Sequence, residues 1–305
     1  VMASQSALQG ARKGRYSRLL DQWQAPEGAG RPVGCIATSF TFDPVFFEEE
    51  CIARFLRLDT DPNEDGLAYL IEQEEKLAEA QVVALVDHRH ADPKRSPRWD
   101  LLPVRVPAAA QHSKISLLAW ERVVRLMVAS ANLTEPGYRS NLEVFGCVDF
   151  REGANTTVDV LSAVTAFVRG MLGDYVTGNQ AEPGPKKRAL ALLGKIDDLA
   201  SGMALGSRRT TFQVVPLFGG AVANIRHGVL SWLKAEAERR GRPRSAVVVS
   251  PFFDNDDRQA FRALEEVLLL QGDRRVDVVT NGVPIERAST VLTDTVPACS
   301  ASETR

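Results

Sequence analysis

The stretch HSKISLLAWERVVRLMVASANLTEPGYRSNLE, His112 to Glu143, decides how the chain is read. Two apolar runs, SKISLLAW and VVRLMVASA, are broken by one strongly polar pair, Glu121 and Arg122. β-Branched and aromatic residues on either side of a short polar break predict a hairpin. With the turn centred near Arg122, antiparallel pairing sets His112 opposite Asn132 and Lys114 opposite Ser130. Strand side chains alternate between faces, so these four groups are expected on one face at the open end, within roughly 7 Å of one another. The chain then returns through Gly137, Asn141 and Glu143.

Working outward, VGCIATSF before the hairpin has the length and β-branched content of a buried strand. FDPVFFEEECIARFL follows and places Phe46, Phe47, Cys51, Ile52 and Phe55 on one helical face. The acidic loop DTDPNEDG leads to a charged helix, LAYLIEQEEKLAEA, then to the strand QVVALVDH and the basic loop RHADPKRSPR. After VFGCVDF come helical segments near 158–174 and 186–203, separated by the breaker-rich GNQAEPGPKK. Beyond residue 211 the order starts again, with TTFQVVPLF, the helix VANIRHGVLSWLKAEAERRG and the strand SAVVVSPFFD. A further helix, DDRQAFRALEEVLLLQG, and the strand RVDVVTNG complete it. The alternation predicts an α/β fold, and the recurrence a weak structural duplication. The expected organisation is an extension over 1–30, a first lobe over 31–178, a linker and helix over 179–211, and the opening of a second lobe over 212–305.

A net charge of −2 on 305 residues gives no global pull toward nucleic acid or anionic lipid, so any such binding needs a local basic patch. The longest apolar runs fall short of the roughly 20 residues that span a bilayer. The N-terminal residues lack the apolar core of a secretory signal. Cys35, Cys51, Cys147 and Cys299 are scattered without a CxxC pair, which fits reduced thiols and a cytoplasmic protein.

The polar cluster at the open end suits a phosphate. Lysine supplies a point charge with three donors, and serine and asparagine add neutral donors. A neutral histidine beside them can attack phosphorus and become a phosphohistidine. Its second ring nitrogen then needs an acceptor, for which Glu143 is the nearest candidate in sequence. This chemistry calls for no metal and no other cofactor.

HSK, a gap of 14 residues and then ASANLTEPGYRSNLE resembles the phospholipase D superfamily, whose signature is HxK followed by a Ser/Gly-x-Asn element and often N-x-E. The spacing is most similar to the tyrosyl-DNA phosphodiesterase branch. The usual HxKxxxxD form wants an aspartate where this chain has Ala119. The resemblance is sharp over 112–146, looser over 31–150 and only architectural after 211. It implies a two-lobed α/β/α sandwich in which each lobe, or each subunit of a dimer, supplies one HxK. By matching position His112 resembles the nucleophile, Lys114 and Asn132 phosphate ligands, Ser130 a supporting ligand and Glu143 the histidine orienter, with Asn141 beside it as a further substrate contact. None of His88, His90 and His227 begins an HxK. A second motif is therefore expected past Arg305 or from a second subunit, with the partial repeat favouring the former.

The function implied is a metal-independent phosphodiesterase working through a phosphohistidine, with nucleic acid or a nucleic-acid adduct as substrate ahead of lipid. A phospholipase or phosphatidyltransferase needs a membrane-facing entrance, and the chain offers no basic amphipathic helix of that kind. A non-catalytic binding or scaffold module on the same fold is the alternative of a different class. His88 and His90 read either as a polar loop or, with Lys94, Arg95 and Arg98, as contacts to a polyanion. Asp254 and Asp256 read as a helix N-cap rather than metal ligands, and LFGGAV as a turn. Phe40 and Phe42, with Asp43, read equally as cleft floor and as core filling.

Overall fold

The structure, a computed structural model, describes residues 18–91, 99–154, 158–176, 184–203, 229–241, 243, 245–249, 266–267, 275–279, 282–285 and 289–292. The chain divides into two compact units, Val1–Pro216 and Leu217–Arg305. The fold is α/β, as the alternation of strands and helices predicts.

The first unit is built on a six-stranded sheet. Its strands are β1 (Pro32–Ser39), β2 (Gln81–Asp87), β3 (Asp100–Val104), β4 (Ile115–Trp120), β5 (Val123–Ala129) and β6 (Phe145–Phe150). They lie in the order β3-β2-β1-β4-β5-β6. β1, β2 and β3 are mutually parallel, whereas β4, β5 and β6 run antiparallel to their neighbours. The C-terminal ends of β1, β2, β3 and β5 therefore share one edge with the starts of β4 and β6. In open α/β sheets that edge is where ligands bind.

Both faces of the central strands are covered, which is why their sequences read as continuous apolar runs. One face packs on the helical run after β1, which is α over Pro44–Phe46, π over Phe47–Ile52 and α again over Ala53–Leu56. Asp43 caps it, its carboxylate accepting from the Val45 and Phe46 N–H groups at 3.0 and 3.1 Å. Phe46, Phe47, Cys51, Ile52 and Phe55 are all buried, as the helical face predicts; the π segment is not legible in the sequence. Phe47 meets Trp23 and Trp99 edge-on, and Phe55 packs on Trp120. The other face is covered by the helices Val158–Tyr175 and Pro185–Gly202, with Leu192, Leu193 and Ile196 fully buried. Gly34 allows this approach: a Cβ there would lie 2.5 Å from the Gln81 carbonyl and 2.7 Å from a Leu192 methyl.

The expected extension is part of this core from residue 18 onward. Leu20–Trp23 form a 3-10 turn, and Trp23 is fully buried, donating to the Tyr138 hydroxyl at 3.2 Å. One tryptophan with two leucines outweighs the polar residues around them.

The described part of the second unit has the helix Val229–Arg240, then β7 (Ser245–Val249) and β8 (Arg275–Val279), paired in parallel. β9 (Gly282–Ile285) and β10 (Ser289–Leu292) form an antiparallel pair. TTFQVVPLF, LFGGAV, His227, Asp254, Asp256 and Cys299 lie outside the described residues. Among those described, no helix is long and apolar enough to cross a membrane.

Candidate functional site

The HSK segment is held from beneath by residues that alternate with its reactive ones. Asp87, at the end of β2, accepts the Gln111 N–H at 2.9 Å. Thr38, near the end of β1, donates to the Ser113 carbonyl at 2.9 Å and accepts the Ile115 N–H at 2.8 Å. Asp87 and Thr38 are both buried. An extended chain pinned through residues 111, 113 and 115 turns 112 and 114 the other way, toward the open edge. His112 is exposed there and Lys114 is half-buried.

The Lys114 ammonium lies 3.3 Å from His112 Nδ1 and 3.5 Å from Nε2, and donates to the His112 carbonyl at 3.2 Å. An ammonium can donate only to an unprotonated ring nitrogen, so this contact favours the neutral imidazole over the charged one. Burial, and then the Lys114 charge, push the His112 pKa below its ordinary value, while Asp87 pulls the other way. Burial also lowers Lys114, against the Glu143 carboxylate. Both effects on His112 favour an uncharged imidazole beside the lysine.

Asn132 joins this edge from β5. Its side-chain oxygen accepts the Phe40 and Thr41 N–H groups at 3.2 and 3.3 Å, which fixes the orientation of its amide. Ser39 completes the clasp, accepting the Leu133 N–H at 2.9 Å. The Asn132 NH2 meets no acceptor among the described residues.

The expected register is one residue off. Ile115 pairs with Val128 and Trp120 with Val123, so the turn is the pair Glu121-Arg122. The Ala129 N–H donates to the Lys114 carbonyl at 3.0 Å, which puts Ala129 rather than Ser130 opposite Lys114. The pairing ends there, so His112 and Asn132 do not face each other as strand neighbours. Asn132 reaches the edge because the chain leaves the strand after Ala129. Ser130 is engaged elsewhere, hydrogen-bonded to Glu143 and accepting the Val144 N–H at 2.9 Å. Glu143 likewise does not orient His112: its carboxylate takes Ser130 and, at 3.3 Å, the Asn141 amide. A short side chain two residues before β6 meets the β5 terminus first, because β5 and β6 are direct neighbours.

Asp87 and Arg89 lie beside the candidate site and are not singled out by the sequence, whereas Phe40, one of the residues read as cleft floor or core filling, stands against His112. The Phe40 ring lies 4.9 Å from His112 and 4.5 Å from His90, with the Arg89 guanidinium 5.6 Å from its centre. His90 thus stands on the same aromatic ring as the candidate nucleophile. Arg89 makes a two-pronged contact with Asp87, at 2.8 and 3.1 Å. Burial raises the Asp87 pKa, but hydrogen bonds from the Arg89 side chain and from the Arg89 and Gln111 N–H groups outweigh it and hold the carboxyl at about 2. An aspartate closing the apolar run QVVALVD was the available signal. Lys94, Arg95 and Arg98 lie outside the described residues.

No family model matches this chain, and no curated protein matches it. Among solved structures it is similar to the yeast tyrosyl-DNA phosphodiesterase, at 12% identity and a TM-score of 0.34 over 50% of this chain. A mutant of that enzyme gives 11% identity and a TM-score of 0.32 over 49%. The match spans 33% of the length of each of those chains. A likeness of this size carries nothing about substrate or mechanism.

Proposed function

We propose that this chain carries one half of a phosphodiesterase site in which His112 attacks phosphorus, on nucleic acid or a nucleic-acid adduct. The observation that supports the proposal is the contact of Lys114 with His112 at the end of the sheet where α/β folds bind ligands, with the Asn132 amide held on the same edge by its oxygen. The imidazole nitrogen forms the bond to phosphorus as the bond to the leaving oxygen breaks. That oxygen takes a proton from a second histidine, which the resemblance to the phospholipase D superfamily assigns to a second HxK motif. Water then releases the phosphate from His112. Lys114 and Asn132 meet the equatorial oxygens, where charge is spread as the displacement proceeds. Ser130 and Asn141 act through Glu143, which they hold and which offsets the Lys114 charge.

The test uses the full-length protein and a chromogenic phosphodiester in EDTA. Turnover and an acid-labile phospho-adduct are expected, and both disappear in His112→Ala. Chelator-sensitive turnover, or an adduct that survives the substitution, defeats the proposal. One observation favours a second reading, a binding module on the same fold: no acceptor among the described residues orients His112. That reading predicts phosphodiester binding without turnover.

A further inference from the structure

A groove of about 390 Å³ opens at the end of β2 and β3, with His88 and Arg89 on one side and the segment from Arg105 to Ala109 on the other. Its charges are unevenly matched. Arg89 spends two of its donors on the buried Asp87, so that pair is nearly neutral. Arg105 is exposed, and its guanidinium makes no ion pair among the described residues. The Arg105 N–H donates to the Tyr175 carbonyl at 2.8 Å, so the main chain is fixed while the side chain stays available. His88 Nδ1 is buried without a hydrogen-bond partner, 3.7 Å from Asp87. Ala108 holds a left-handed φ of 54°, which bends the far wall at a conformational cost.

This groove shares a wall with the candidate nucleophile. Asp87 holds Arg89 on one side and the Gln111 N–H, next to His112, on the other. Arg89 also lies over Phe40, whose ring touches His112. An anion in the groove therefore sits beside, and not within, the place where His112 would act. Arginine forks match phosphate oxygens, and the volume falls within the roughly 300–1,000 Å³ of ordinary ligand sites.

We infer that this groove holds the phosphate next to the scissile one in a single nucleic-acid strand, so that the substrate is a polynucleotide and not an isolated diester. The inference rests on the phosphodiesterase proposal for His112. A lipid phosphodiester brings one phosphate and apolar tails, and would leave Arg105 without a partner.

The experiment compares kcat/KM of the full-length protein and its Arg105→Ala variant on a single-stranded oligothymidylate and on bis(4-nitrophenyl) phosphate. The ratio of oligonucleotide to small-diester activity is expected to fall about tenfold, the effect of one charge-assisted phosphate contact. An unchanged ratio, including an equal loss on both substrates, overturns the inference. A binding arm separates its failure from that of the proposal it rests on. On a His112→Ala background, fluorescence anisotropy follows the oligothymidylate across a salt series, with and without Arg105→Ala. Weaker binding with a salt dependence shallower by about 0.7 in log–log slope supports the groove even if no diester is turned over. Unchanged affinity and slope then overturn it.

Discussion

At the turn end of the β4–β5 hairpin the charges close on one another, whereas at its open end they do not. Glu121 pairs with Arg31 at 2.8 Å, and Arg122 donates to the Gly28 carbonyl at 2.6 Å. Three residues past the turn on β5, Arg125 grips Asp149 of β6 at 2.6 and 2.7 Å and donates to the carbonyls of Gln22 and Gln24. At the other end Lys114 faces a histidine, and the Asn132 amide keeps its hydrogens for something else. The same hairpin thus carries polar groups of two kinds. Groups that satisfy one another tie the lead-in segment and β6 to the sheet. Groups left with donors to spare lie at the end of the sheet where α/β folds commonly bind ligands, and the proposal assigns them to recognition.

The largest expected effect at the open end comes from Lys114→Met. On the proposed mechanism it removes the cation that meets the developing charge, and phosphodiester turnover should fall by about 10²–10³ in kcat. The fold should be untouched, since a half-buried charge is lost with its burial cost; an unchanged melting temperature in the same preparation checks this. At the turn end the sign reverses. Arg125→Met strands the Asp149 carboxylate and two carbonyls, and should destabilise by about 3 kcal/mol, read from urea unfolding. The folded fraction should keep its specific activity, and a selective loss of activity would break the contrast between the two ends.

Asp87 lies on the boundary, because it holds both the fold and the His112 segment. Asp87→Asn should cost about 2 kcal/mol in urea unfolding. It also changes the pH dependence in a defined direction. With its folded pKa depressed to about 2, Asp87 contributes stability that is fully present above the ordinary carboxylate pKa and is lost as pH falls toward 2. The substitution should flatten that acid limb, and an unaltered acid profile would show that Asp87 is not held as the geometry implies. The smallest effect is at the exposed Glu121–Arg31 pair, where Glu121→Gln should barely move the urea midpoint, and what it moves should fade with added salt.

How much of this was legible depended on the kind of contact. The hairpin, the strands around it and the buried face of Pro44–Leu56 follow from local patterns of apolar residues, and they lie where those patterns put them. The register does not. Every residue of β4 is buried, so its apolar pattern lacks the alternation that marks one face from the other. Without that mark a slip of one residue costs the sequence reading nothing and moves every side chain across the sheet. Hence Ser130 was expected beside Lys114 and lies instead on Glu143. The role of Asp87 is hidden from the sequence for a related reason. Its partners, Gln111 and the site edge, are brought to it only when β1 is laid between β2 and β4.

The sequence by itself determined the α/β class, the hairpin and the residue types that gather at its open end. Local propensity and hydrophobic periodicity act within a few residues along the chain, and these features need nothing longer. Only the tertiary structure decided which of the more distant groups touch: Asn132 on the loop after β1, and Glu143 on Ser130 in place of His112. Those contacts join residues brought together by strand order and register, and their geometry is fixed by packing across the sheet, where a shift of one residue decides which side chains can meet.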